Sequence, residues 1–319
     1  MPQQLYAAID IGGTKIAAAL VDAEGTLLTR AELPTPPRGE AEEVMTTVAA
    51  LVGMVAKDPR WPDAAGIGIG SAGPIDPVRG TVSPVNIPGW REFPLVERVR
   101  ELAAVHGEVV LIGDGSAMAA GEHWRGAARG YDNALCLVVS TGVGAGLILD
   151  GALRTGPSGN AGHLGHISVD VEGEHCPCGS RGCVEMFASG TSIARWATQN
   201  GWRTPPDNVV EAGNTPPTAA DIAASARSGN EIALTAFDRA GRALAAGIAS
   251  VAMLVDIRAA VIGGGVAKAG ALLLDPLRRH LETYASLPFT HNIAILPATL
   301  GPDAGLTGAA AALAGAVGG

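Results

Sequence analysis

The sequence predicts an α/β protein of two lobes built on a duplicated core. Three observations predict it. The 319 residues exceed the about 250–300 at which a single hydrophobic core stops growing, so two lobes are expected. A strand, glycine turn, strand pattern occurs once near the start and again near the middle, and helical and strand-like segments alternate after each copy. The expected division is a small N-terminal lobe of residues 1–115 plus 301–319 and a large C-terminal lobe of residues 116–300.

The elements follow in order. Residues 5–22 read Leu-Tyr-Ala-Ala-Ile-Asp-Ile-Gly-Gly-Thr-Lys-Ile-Ala-Ala-Ala-Leu-Val-Asp, two apolar strands around a glycine turn, and Gly25 begins the next turn into Thr26-Leu27-Leu28. Over 40–57 the spacing of Val44, Val48, Leu51, Val52 and Val55 is helical, with Glu40, Glu42 and Glu43 at the N-terminal end, where the helix dipole favours negative charge. Residues 65–70 read as a buried strand, 95–105 as a helix and 109–112 as a strand. Gly113-Asp114-Gly115 ends that strand, and Asp114 suits the N-cap of the helix that follows.

The second copy begins at Leu135. Leu137-Val138-Val139-Ser140-Thr141-Gly142-Val143-Gly144-Ala145-Gly146 leads into Leu147-Ile148-Leu149-Asp150-Gly151, with the glycines 142–146 read as the hairpin. Two such turns, placed alike in each half, suit backbone N–H groups that hold the two ends of a polyphosphate. Cys136 falls within the first strand of this copy and is read as core. A helix is expected over 185–197, a proline-rich exposed loop over 201–218, a strand at 259–262 running into Gly263-Gly264-Gly265, and a last helix over 305–317.

With 47% hydrophobic and 17% charged residues, the chain has ample material for sizeable cores. Its net charge of −9 gives no overall field that would draw nucleic acid or an anionic membrane, so neither partner is expected. Apolar runs near 243–266 and 304–319 are interrupted by charge or are too short to span a bilayer. The opening Met1-Pro2-Gln3-Gln4 lacks the basic and apolar regions of a signal peptide, so a cytoplasmic location is expected.

Cys176-Pro177-Cys178-Gly179-Ser180-Arg181-Gly182-Cys183 is a metal knuckle by its spacing. Three thiolates and one imidazole complete tetrahedral zinc in a closed structural site. His166 and the adjacent His175 both qualify as fourth ligand. C-x-C is cramped for a disulfide, and nothing in the sequence indicates an oxidising compartment.

Together Asp10-Ile11-Gly12-Gly13-Thr14-Lys15, Ser140-Thr141-Gly142-Val143-Gly144-Ala145-Gly146, the 162–166 stretch and the cysteine knuckle followed by Glu185 resemble the ROK family of bacterial sugar kinases, nearly end to end. The resemblance implies the ribonuclease H-like fold of actin and hexokinase, with two mixed five-stranded sheets and ATP and sugar in a cleft. It also implies a structural zinc, held by His166, Cys176, Cys178 and Cys183, and a homodimer or homotetramer. Some members of the family are repressors with an added N-terminal helix-turn-helix domain; here the first phosphate strand starts near residue 5, so the kinase branch is expected.

Roles follow from the resemblance. Phosphoryl transfer depends chiefly on positioning and charge stabilisation. Asp10 would orient hydrated magnesium, and Gly12, Gly13, Thr14 and Lys15 would meet the terminal phosphates. Thr141 and Gly142 would hold phosphates from the other lobe, and Gly263, Gly264 and Gly265 would approach the adenosine. Asp114 is the expected catalytic base, preceded by Gly113 where family members usually carry Asn. Asn86, His163, His166 and Glu185 join Asp114 as expected sugar contacts.

The acceptor is read two ways. His163 stands where most sugar-phosphorylating members carry Glu, and Gly162-His163-Leu164-Gly165-His166 is similar to N-acetylmannosamine kinases. Asn86 with Gly89-Trp90 is more like glucokinases. Phosphorylation of a glucose-type 6-hydroxyl by ATP is favoured, with an amino sugar as the alternative acceptor and polyphosphate as the alternative donor. A non-catalytic sugar sensor is the reading from another class, and Asp114 speaks against it.

Overall fold

The computed structural model describes residues 4–36, 41–84, 87–103, 107–204 and 216–318. Asn86, Glu40 and most of the expected 201–218 loop lie outside the described residues. Strands β1 (Leu5–Ile11), β2 (Lys15–Asp22) and β3 (Leu27–Pro34) are followed by helix α1 (Ala41–Val55), β4 (Ala64–Ser71) and the short β5 (Ile75–Asp76) and β6 (Thr81–Val82). Helix α2 (Leu95–Ala103), β7 (Glu108–Gly113) and α3 (Asp114–Arg125) come next. Then come β8 (Ala134–Val139), β9 (Val143–Leu149), β10 (Ala152–Arg154), α4 (Glu185–Ala188) and α5 (Gly190–Gln199). Helices α6 (Ala219–Arg227) and α7 (Glu231–Val255), β11 (Ala259–Gly263), α8 (Ala271–Tyr284), β12 (Ala294–Pro297) and α9 (Ala304–Leu313) complete the order.

The duplication is explicit in the sheets. One has the order β3-β2-β1-β4-β7, the other β10-β9-β8-β11-β12. In both, an antiparallel three-stranded meander presents its first strand to two further strands. β1 pairs antiparallel with β2 and parallel with β4, which pairs parallel with β7. β11 and β12 are likewise parallel. The three residues 12–14 join β1 to β2, and the three residues 140–142 join β8 to β9.

The chain forms two compact units. The first holds residues 1–136, 145–162 and 298–319; the second holds 137–144 and 163–297. In the first, α1 buries Val44, Val48, Leu51, Val52 and Val55, the residues whose spacing marked its inner face, together with Met45. They pack with Ile9, Ile11, Ile16 and Leu20 of the sheet and with Trp90 and Phe93, whose rings stack at 4.6 Å. On the other face α9 touches the sheet, and α3 in turn touches α9, nearly backbone to backbone. A Cβ on Gly68 would overlap the Ala309 carbonyl, and one on Gly308 would overlap that of Ala117. Among the described residues, no helix is long and apolar enough to cross a membrane.

Four local expectations are corrected. Gly144 and Gly146 lie inside β9 rather than in the hairpin turn, and at Gly146 the glycine is needed because α3 runs so close that a Cβ would meet the Gly115 carbonyl at 2.6 Å. Gly113 takes the N-cap of α3, and Asp114 is the helix's first residue. The helix expected over 185–197 is broken into α4 and α5 at Ser189, whose extended backbone and hydroxyl cap α5 through the Ser192 amide. The last helix ends at Leu313.

Candidate active site

In the first unit the site residues gather where the parallel strands end. Asp10 is the penultimate residue of β1, in register with Gly70 of β4. Gly113, the residue before Asp114, is in register with Ser71 at the end of β4. The two aspartates therefore sit two strands apart, about 10 Å between backbones at ordinary strand spacing. Gly305 lies against Asp10, since a Cβ there would stand 2.5 Å from Asp10 Oδ2.

Burial pushes the Asp10 carboxyl up to about 7, with the Asp114 charge adding to the rise and Lys15 opposing it. Such a carboxylate fits a cation, which would remove the cost of its ionisation. Asp114 Oδ1 accepts a hydrogen bond from the Gly115 amide at 2.7 Å.

The turn after Asp10 is tied down by Thr35. Its amide donates to the Thr14 carbonyl at 3.0 Å and its hydroxyl to the Gly12 carbonyl at 2.7 Å. Gly13 and Thr14 are exposed. Lys15 Nζ donates to Glu32 Oε2 at 2.9 Å, and Arg30 reaches both Glu32 and Asp303. Lys15 thus lies at the end of the 12–14 turn in an exposed ion pair, a contact weak enough in water for an anion to displace.

In the second unit, Gly142 is the last residue of the matching turn, and a Cβ on it would meet Glu185 Oε2 at 2.7 Å. That oxygen accepts from the Val143 amide at 2.8 Å, so Glu185, expected as a sugar contact, also holds the residue after the turn. Gly264 has φ +91°, and a Cβ there would overlap the backbone of Val139 at the end of β8. The glycine run 263–265 is therefore packed beside the 140–142 turn. His163 is exposed, its ring 6.3 Å from that of His166.

The knuckle brings the ligand atoms of His166, Cys176, Cys178 and Cys183 within 4.8 Å of one another. The choice between His166 and His175 is thereby made: His175 Nε2 instead accepts from Arg181 at 2.6 Å. Bonds of about 2.3 Å from zinc to sulfur at tetrahedral angles place two sulfurs about 3.8 Å apart. Cys178 Sγ and Cys183 Sγ are 3.7 Å apart, and Cys176 Sγ is 3.8 Å from His166 Nδ1. Burial pushes the thiols of Cys176 and Cys183 up, that of Cys183 to about 12, while the Ser180 amide lowers that of Cys178. Three thiols so placed fit a tetrahedral dication, whose charge allows them all to ionise.

The duplicated sheets, each with a three-residue turn after its first strand, define a protein with the actin-like core of phosphoryl-transfer enzymes. The chain belongs to the ROK family, whose pattern it matches over residues 6–316. It is 36% identical over 308 residues to a glucokinase of Streptomyces coelicolor, covering 95% of each chain. It is 34% identical over 303 residues to an N-acetylmannosamine kinase of Yersinia pseudotuberculosis, covering 95% of this chain and 96% of the other. Among solved structures, a ROK family glucokinase from Streptomyces griseus in complex with glucose and AMPPNP superposes with a TM-score of 0.82 at 37% identity, covering 96% and 98% of the two chains.

Several participants were not visible in the sequence reading. Glu122 is fully buried in α3 and accepts from the amides of Ala127, Thr299 and Leu300, joining α3 to the segment that enters α9. Thr191 and Gly190 hold the 140–142 turn. The Ser189-Gly190 pair, which breaks a helix, was the available signal for the second group.

Proposed function

We propose that the protein is an ATP-dependent sugar kinase that transfers the γ-phosphoryl group to the 6-hydroxyl of a hexose, with glucose as acceptor. The observation that carries this reading is the pair Asp10 and Asp114 at the ends of β1 and β7, two strands apart in one sheet, beside a glycine turn. The likeness to glucokinases over nearly the whole chain supports the same acceptor.

In the proposed reaction the 6-hydroxyl oxygen forms a bond to the γ-phosphorus as the bond to the β,γ-bridging oxygen breaks, leaving ADP. The hydroxyl proton passes to Asp114. An ordinary carboxylate is a weak base for an alcohol, so Asp114 aligns the hydroxyl first and accepts the proton late in the transfer. The 12–15 segment and the Thr141–Gly142 turn bind donor phosphates through backbone N–H groups, and Gly263–Gly265 admit the adenosine. Asp10 would hold hydrated magnesium, which supplies charge neutralisation for the phosphates. The zinc loop is assigned a stiffening role: three thiolates would leave a bound zinc a poor Lewis acid.

A second acceptor, N-acetylmannosamine, is favoured by one observation. His163 is exposed beside the knuckle histidine, and a neutral imidazole offers a donor as well as an acceptor, which suits an acetamido carbonyl. ATP consumption measured with glucose, mannose, glucosamine and N-acetylmannosamine decides between them. Turnover highest on glucose is expected, and no turnover on any of the four would overturn the kinase assignment.

A further inference from the structure

We propose that Thr191, at the N-terminus of α5, is a positioning residue for the donor phosphates: it fixes the peptide plane of the Thr141–Gly142 turn. This rests on the kinase reading above. The turn's polar groups can be followed individually. The Ser140 carbonyl accepts from the Gly190 amide at 2.7 Å, and the Thr141 carbonyl accepts from the Thr191 hydroxyl at 2.9 Å. The Gly142 carbonyl accepts from the Ser140 amide at 2.8 Å, and the Val143 amide donates to Glu185 Oε2 at 2.8 Å.

In a trans peptide the carbonyl and the following N–H point in opposite directions. Drawing the carbonyls of Ser140 and Thr141 toward α5 therefore turns the N–H groups of Thr141 and Gly142 away from it. Among the described residues neither N–H is taken up by another group. Two successive free N–H groups aimed to one side form an anion-binding concavity. Gly190 has no hydroxyl to lose, so the orientation of the second peptide depends on the Thr191 side chain.

Without that hydroxyl the Thr141–Gly142 peptide loses its own tether and is constrained only through its neighbours, so its N–H is held less firmly toward the phosphate. The partner that replaces Thr191 must therefore keep an oxygen, not a shape. Thr191→Val keeps the branched shape and removes the donor; Thr191→Ser keeps the donor and removes a methyl group.

The test is calorimetric titration with AMPPNP in magnesium buffer, together with KM for ATP and for sugar, on wild type and both variants. Thr191→Val is expected to weaken AMPPNP binding and raise KM for ATP roughly tenfold, the equivalent of about 1.4 kcal/mol. KM for the sugar should stay within about twofold, and Thr191→Ser should restore ATP binding to within about threefold. Equal AMPPNP affinity in Thr191→Val and wild type would overturn the proposal, as would a Ser variant as weak as Val. If wild type binds AMPPNP but phosphorylates none of the sugars, the acceptor reading fails while a tenfold loss in Thr191→Val still supports the role of Thr191. If wild type binds no AMPPNP, both fail.

Discussion

Asp10→Asn separates the stability of the site from its function. Folding raises the Asp10 carboxyl from 3.8 to about 7, chiefly by burial and then by the nearby Asp114 charge. Between those values the unfolded chain has released a proton that the folded chain still holds, so stability falls as pH rises from about 4 to 7 and then levels off. Three pKa units correspond to about 4 kcal/mol. Asp10 keeps a partly exposed edge, which reduces this to about 2 kcal/mol. Asparagine carries no charge to bury. In magnesium-free buffer at pH 8, Asp10→Asn should therefore be more stable than wild type by about 2 kcal/mol, about 3 °C in melting temperature for a chain of this size. The advantage should shrink at pH 5, where most wild-type molecules already hold the proton. Activity with magnesium and ATP should fall at least about a hundredfold, because the carboxylate that would hold the ion is gone. A variant no more stable than wild type at pH 8, or a gap that does not change between pH 5 and 8, would refute the reasoning.

Asp114→Asn should lower kcat by several orders of magnitude while AMPPNP and sugar bind within about tenfold of wild type; a tenth of wild-type turnover would exclude Asp114 as the base. Elemental analysis should find about one zinc per chain, and its removal should lower the melting temperature by several degrees; unchanged melting and activity would remove the structural role of the knuckle. His163→Glu should shift relative kcat/KM toward the plain hexose by about 1–3 kcal/mol, and identical profiles across the four sugars would show that His163 does not read the C2 substituent.

Much of the fold was legible because its signals are local. The apolar runs around Gly12-Gly13-Thr14 and Ser140-Thr141-Gly142 mark strand, turn and strand within a few residues, and the cysteine spacing marks a knuckle without reference to anything distant. What escaped depends on neighbours far along the chain. Sequence left His166 and His175 equal as ligands; the difference is that Arg181 engages His175. Gly146 reads as a turn residue, but its missing side chain makes room for α3, over twenty residues earlier. Glu122 is an ordinary helix residue in sequence, and its partners at Thr299 and Leu300 become apparent only once α3 and α9 are side by side.

The packing of α9 also sets an order of events during synthesis. The helix backs onto Asp10 through Gly305 and onto α3, which begins with Asp114, yet its residues are made only after the whole of the second unit. At ribosomal rates of about 5–20 residues per second, that interval is roughly 7–30 seconds. Throughout it the sheet carrying Asp10 lacks the helix that covers its far side, and Ala8, Ala17, Ala19 and Val21 have nothing from Leu306, Ala309 and Ala310 to pack against. Until translation has passed residue 313 the nascent first unit carries that apolar face uncovered, a surface of the kind a holding chaperone binds.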